Sequence, residues 1–262
     1  MLQKEASAPL AAATARPARN GARSGATNGD ASRPADTRPD DTRPDDTRPD
    51  DTRPDDTRPD DRAVRAAAGR EALDWQRILG KSKSNVVAEV LRHQGQFYQW
   101  NHYPKGDVYD PASRSQWYYH AHPKDQRPGE HGHFHTFRRT DDKPAHLIGI
   151  SMDNFGKPIQ LFTTNRWVTG ERWRPAADLV PALDRFDIEL AHPSWPVNRW
   201  LVALLRCYRP AIAQLLEERD RTIERWRAEH PDADVLEDKR LAVTSSLAID
   251  LEADVKRLEV EG

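Results

Sequence analysis

The chain has 262 residues, with 40 Lys and Arg against 42 Asp and Glu, and a single cysteine, Cys207. Residues 1–61 hold 10 of the basic and 13 of the acidic side chains, which leaves 30 and 29 for residues 62–262. That balance excludes the broad cationic surplus of a nucleic-acid footprint, one thiol excludes an intrachain disulfide, and no run approaches the roughly 20 apolar residues that span a bilayer. The N-terminus also lacks the apolar core of a secretory signal, so the expected location is cytoplasmic, with neither membrane nor nucleic acid as a partner.

Residues 1–29 are rich in Ala, Arg and Ser and poor in acids, a composition shared by organelle transit peptides and by disordered bacterial tails. Five identical copies of DTRPD follow from Asp36 to Asp60. Proline at every fifth position with no apolar side chain between cannot offset chain entropy by burial, so residues 1–61 are expected to be a disordered low-complexity tail. Residues 62–262 are then expected to form a single globular domain.

From Ala63 to Leu79 and from Asn85 to Leu91 apolar groups recur at helical spacing, and two short helices are predicted there. The next stretch, GQFYQWNHYPKGDVYDPAS, contains Pro104, Gly106 and Pro111 and reads as irregular. Four aromatic and β-branched runs come after it, QWYYHAH, HGHFHTFR, HLIGISM and PIQLFTTN, separated by turn chemistry. They predict an antiparallel meander whose last hairpin turns near Asn154–Gly156. Beyond Pro175 the helical period returns, first in ADLVPALDRF and then from Pro196 to Trp226. Pro210 should kink or split that second segment. Asp234 with Glu237 resembles a capping box opening a last helix, with Leu236, Val243, Leu247, Leu251, Val255 and Leu258 on one side. The fold class expected is therefore α+β: N-terminal helices, a central antiparallel meander of four or five strands, and a C-terminal helical hairpin. That hairpin either covers the apolar face of the sheet or joins two copies as a homodimer.

His120, His122, His131, His133 and His135 fall within sixteen residues, where the chain average would supply about 0.6 of a histidine. Side chains two apart on a strand share a face at about 6.6 to 7 Å, so a single ion with Zn–N bonds of about 2.0 to 2.1 Å can take two neighbours from one strand but not all three of His131, His133 and His135. The remaining ligands must come across the sheet. If the two runs pair so that residue numbers sum to 253, His122 faces His131 and His120 faces His133, and four imidazoles form a square. A slip of one residue would send the pairs to opposite faces.

Neutral imidazole suits a divalent transition metal, Zn or Fe among them, and Glu130 stands beside the cluster as a candidate ligand or general acid/base. His146 opens the following strand. The same histidines, set among Trp117, Tyr118, Tyr119 and Phe134, would equally serve a hydrogen-bonded aromatic core or a pocket for an organic ligand. Asn165 and Arg166 sit where a strand runs into a loop and are candidates for binding a small anionic substrate, with an Arg166–Glu171 structural pair as the alternative. Two function classes thus stand side by side: a metal-dependent hydrolase or oxygenase acting on a small molecule, and a non-catalytic module binding a ligand or a protein.

The segments NHYPKGDVYD, WYYHAH, GEHGHFHTF, HLIGISMDNFGKPIQLFTTNRWVTGE and AHPSWPVNRWL resemble a bacterial family of unknown function over roughly Val86 to Leu251. The resemblance implies one integral domain with the N-terminal repeats outside it, and it implies no activity, cofactor or catalytic residue.

Overall fold

The computed structural model describes residues 61–123, 129–139 and 143–260. The tail and its DTRPD repeats lie outside the described residues apart from Asp61. Two helices open the domain, α1 (Asp61–Lys81) and α2 (Val86–Leu91), the second capped by the Asn85 side chain, which accepts from the Ala88 N–H at 2.9 Å. Five strands follow: β1 (Tyr103–Asp110), β2 (Ser115–His120), β3 (Gly132–Arg139), β4 (Pro144–Met152) and β5 (Pro158–Thr164). The chain then passes through α3 (Arg166–Thr169), α4 (Ala176–Leu183), α5 (Trp195–Cys207), α6 (Arg209–Glu229) and a 3-10 turn (Val235–Glu237). It returns to the sheet as β6 (Val243–Ala248) and ends in α7 (Leu251–Val260). All six strands are antiparallel in the order β1-β2-β3-β4-β5-β6.

The α+β class, the meander and the N-terminal helices are as the sequence predicts, and the sheet has six strands where four or five were expected. Both additional strands are edge strands. β1 accommodates Pro104 because an edge needs no ladder donor from every residue, and a register shift between Tyr103 and Val108 takes up Gly106 and Asp107, both at positive φ. The segment 234–260, expected as one helix, is a 3-10 turn, a strand and a shorter helix. Residues 243–246 are Val-Thr-Ser-Ser, poor helix formers, and the sheet and α6 give the segment partners: Ser245 donates to the Leu215 carbonyl of α6 at 2.8 Å and shares a hydrogen bond with Thr163 of β5 at 2.6 Å. Val243 and Leu247, expected to face inward on that helix, are exposed. Pro210 does split its segment, because its missing N–H is harmless in the first turn of α6.

One face of the sheet carries the apolar core. Trp117, Tyr119, Phe134, Ile150 and Leu161 pack toward α5, with Phe134 5.7 Å from Trp200, and the buried apolar residues of α6 lie over β5 and β6. Asn198 of α5 fastens this layer: its side chain accepts from the Trp117 indole at 3.0 Å and donates to the carbonyls of Leu190 and His192. α1 closes over α5 and α7, where Gly69 lets Val255 and Cys207 approach; Cys207 is buried, and burial pushes its thiol up to about 11. Among the described residues no helix is long and apolar enough to cross a membrane.

The other face carries the histidines. Four of the five strand pairings contain a register shift, and the β2–β3 pairing does not. Such shifts bend and twist the strands. Gly149 of β4 is opposite Phe162 of β5, and a Cβ on it would stand 2.4 Å from the Phe162 ring. The bare backbone lets the Phe162 ring lie over Gly149 and stand in T-shaped contact with His133 and His135, at 5.3 and 5.7 Å. Gly149→Ala should therefore destabilise the fold by about 1–3 kcal/mol through overpacking. Chemical denaturation measures this, and a smaller second side chain in Gly149→Ala/Phe162→Leu should recover part of the loss.

Candidate metal centre

β2 and β3 pair as Tyr118–His135, Tyr119–Phe134 and His120–His133, the register in which paired numbers sum to 253. Cross-strand partners point to the same side of a sheet, so His120, His133 and His135 share a face. All three are buried, and one nitrogen from each lies within 4.8 Å of the others. The His120 and His133 Nε2 atoms are 2.6 Å apart, and the Nε2 of His135 is buried.

Each of two histidines has a fixed second contact. The Glu130 carboxylate accepts from Nδ1 of His133 at 2.6 Å, with both side chains nearly inaccessible at 5% and 1%. That bond sets the His133 tautomer and turns its Nε2 lone pair toward His120. Nδ1 of His135 lies 2.9 Å from Nε2 of His146, and the Thr164 hydroxyl stands 3.5 Å from the far nitrogen of His146. Burial, reinforced by the Arg219 guanidinium and by His133, holds His146 at a pKa of about 3, so its ring is neutral.

A bulge brings His146 into this group. The β3–β4 pairs Gly132–Met152 through Thr136–Ile148 keep a constant register, which would set residue 146 opposite Arg138. The shift after Thr136 sets it opposite Phe137 instead, on the face of His135. In the sequence His146 stands only at the opening of the following strand. The pattern of hydrophobic residues carries no mark of the extra residue, so its role was not visible.

The other residues singled out in the sequence divide. His122, just beyond β2, keeps its ring 5.0 Å from His120 and 5.1 Å from His133. His131 sits in a bend ahead of β3, where strand alternation is not imposed, and its Nδ1 meets the Tyr119 hydroxyl at 2.7 Å, apart from the triad. Gly132 permits this, since a Cβ there would stand 2.6 Å from that hydroxyl. Asn165 is buried as the cap of α3: it accepts from the Arg166 N–H and donates to the Val235 carbonyl. Arg166 pairs with Glu237 at 2.8 Å and with Asp234 at 3.6 Å, in place of the Arg166–Glu171 pair that the sequence suggests.

Glu171 stands instead beneath the start of β4, where a carboxylate oxygen accepts from the His146 backbone N–H. Burial raises its pKa to about 8, opposed by that N–H and by the charges of Arg219 and Arg166. The sequence offers no signal for a carboxylic acid kept protonated near neutrality, because the cause is the surroundings that tertiary packing supplies.

These elements define an α+β protein with a histidine-lined sheet face, three of whose imidazoles could hold a metal ion. Residues 66–249 match the model of the family described as Domain of unknown function (DUF6969), and the chain belongs to that family. No curated protein and no solved structure matches the chain.

The raised Glu171 pKa has a consequence for stability. The folded state binds this proton up to about pH 8, whereas an unfolded glutamate releases it near 4.5, so the contribution is full below 4.5 and lost as pH rises toward 8. The slope is about 1.4 kcal/mol per pH unit between those limits. Glu171→Gln, which keeps a neutral acceptor for the His146 N–H, should remove this alkaline loss. Urea unfolding midpoints of both chains at pH 5 and pH 8 provide the comparison.

Proposed function

We propose that His120, His133 and His135 bind a divalent transition metal, zinc or iron, and that the domain is a metal-dependent hydrolase or oxygenase acting on a small molecule. The observation that carries this reading is the convergence of three buried imidazole nitrogens within 4.8 Å. Ligand atoms at about 2.0 to 2.1 Å in a tetrahedral shell lie roughly 3.4 Å from one another, so small ring rotations suffice. The donor set also fits. Two of the three imidazoles are backed by a hydrogen-bonding group, Glu130 behind His133 and His146 behind His135, the second-contact pattern that orients metal-ligating histidines. When bound, such an ion supplies Lewis acidity toward a substrate oxygen.

Glu130, spent on Nδ1 of His133, is a positioning residue in this reading and not the acid/base. His122, with its ring beside both His120 and His133, is the candidate for a further ligand or a proton carrier in this reading. Arg166 is engaged by Glu237 and Asp234 and receives no substrate role. A second reading, a binding module without metal, is favoured by one specific contact: the His120–His133 pair at 2.6 Å already satisfies both Nε2 atoms as a hydrogen bond.

Elemental analysis of the untagged chain separates the two. About one metal ion per chain is expected, as for a site with three protein ligands. It should be lost in His133→Ala/His135→Ala with the circular dichroism spectrum retained, and Glu130→Gln should weaken metal affinity about 10- to 100-fold. Absence of stoichiometric metal after reconstitution with Zn(II) and Fe(II) would overturn the metal reading.

A further inference from the structure

Outside the histidine cluster, residues 94–107 enclose an open cleft of about 790 Å³ along the β1 edge of the sheet. This lies in the size range of small-molecule pockets. Its lining is unlike the usual apolar pocket. Gln94, Gln96 and Asn101 contribute carboxamides, Tyr98 a ring, and His102 an imidazole. Lys105 and Asp107 contribute one charge of each sign, so the wall has no net charge to recognise an anion such as a phosphate.

The cleft is held rigid. Tyr98 is 53% exposed, yet its backbone is clamped by the hydroxyl of buried Tyr103, which accepts from the Tyr98 N–H at 2.6 Å and donates to its carbonyl at 3.2 Å. Phe97 stacks on Tyr103 at 5.2 Å behind it. Asp107 uses both oxygens to fix neighbours, His102 Nδ1 at 3.0 Å and the Gln116 amide at 2.8 Å. Gln94 and Gln96 accept through their carbonyl oxygens, from the Lys105 N–H at 3.4 Å and the Tyr98 hydroxyl at 2.9 Å, which leaves their NH₂ groups as donors to a ligand.

Backbone strain is concentrated in the same segment. His93, Trp100 and Asp107 all have positive φ, at 62°, 72° and 61°. Each costs a non-glycine residue about 1–3 kcal/mol, and such positions cluster at ligand clamps. Asp107 owes its conformation to the bulge of β1, whereas His93 and Trp100 lie outside the helices and strands and shape the loop around the cleft.

We infer that this cleft binds a neutral polyhydroxylated ligand, a sugar or a polyol. Planar carboxamides match pairs of neighbouring hydroxyls as donor and acceptor together, and an exposed ring on a fixed backbone offers a flat face to the C–H side of a sugar at little entropic cost. The cleft also adjoins the histidines: His102 stacks on Tyr118 at 3.6 Å and stands edge-on to His120 at 5.7 Å. That the ligand is the substrate of the metal centre rests on the reading proposed above, whereas the binding itself does not.

The test uses the full chain, with and without zinc, titrated by calorimetry and saturation-transfer NMR. The probes are glucose, N-acetylglucosamine, maltose, cellobiose, xylobiose and myo-inositol, with inorganic phosphate and AMP as anionic controls. At least one neutral probe should bind the metal-free chain, and Tyr98→Ala and Asn101→Ala should each weaken it about tenfold. Binding of the anions alone, of none of the neutral probes, or with an affinity that both substitutions leave unchanged overturns the inference. Metal content measured on the same samples keeps its failure distinct from a failure of the metal reading, and tighter binding with zinc would join the two sites.

Discussion

β2 and β3 pair without interruption from Ser115–Arg138 to His120–His133, and the character of the domain's second face depends on that register. Because side chains alternate across a strand, this register sends Trp117, Tyr119 and Phe134 into the helical layer, and Tyr118, His120, His133 and His135 to the opposite side. Sliding one strand by a single residue would put aromatic core residues and imidazoles on the same face. The core contacts of Trp117 and Phe134 with Asn198 and Trp200 therefore hold the histidines in place from behind.

Burial gives those histidines their chemistry. A ring kept from water is costly unless its nitrogens are engaged, and the cost is higher still for a charged ring. The structure meets this with Glu130 on His133 and with a neutral His146 on His135. Glu171 extends the same economy of charge, since a protonated acid beneath the neutral His146 avoids an isolated buried carboxylate.

Beside this rigid face lies a loop of different character. Residues 92–102 have little regular structure, and they hold Trp100 edge-on to His122 and His102 flat on Tyr118. Binding groups placed on a loop, with their backbone pinned to a rigid sheet, combine adaptable chemistry with fixed position. The domain therefore joins a buried set of imidazoles to an open polar cleft across a few stacked rings.

Much of this was legible in the sequence. Alternating aromatic runs and turn residues marked four strands, helical periodicity marked α1, α2, α4 and the α5–α6 segment, and the two-residue spacing of histidines allowed the His120–His133 pairing as one register, which the structure adopts. What the sequence did not carry was any feature that depends on where an extra residue is absorbed. The bulge that turns His146 toward His135 and the bend that takes His131 to Tyr119 are set by how neighbouring strands pack, and the edge strand β6 takes its partner β5 from about 80 residues earlier in the chain. Local pattern determines which side chains can share a face, because alternation is a property of the strand itself. Which of them meet, and in which protonation state, was decided by tertiary structure, because register shifts and burial exist only once distant segments are packed together.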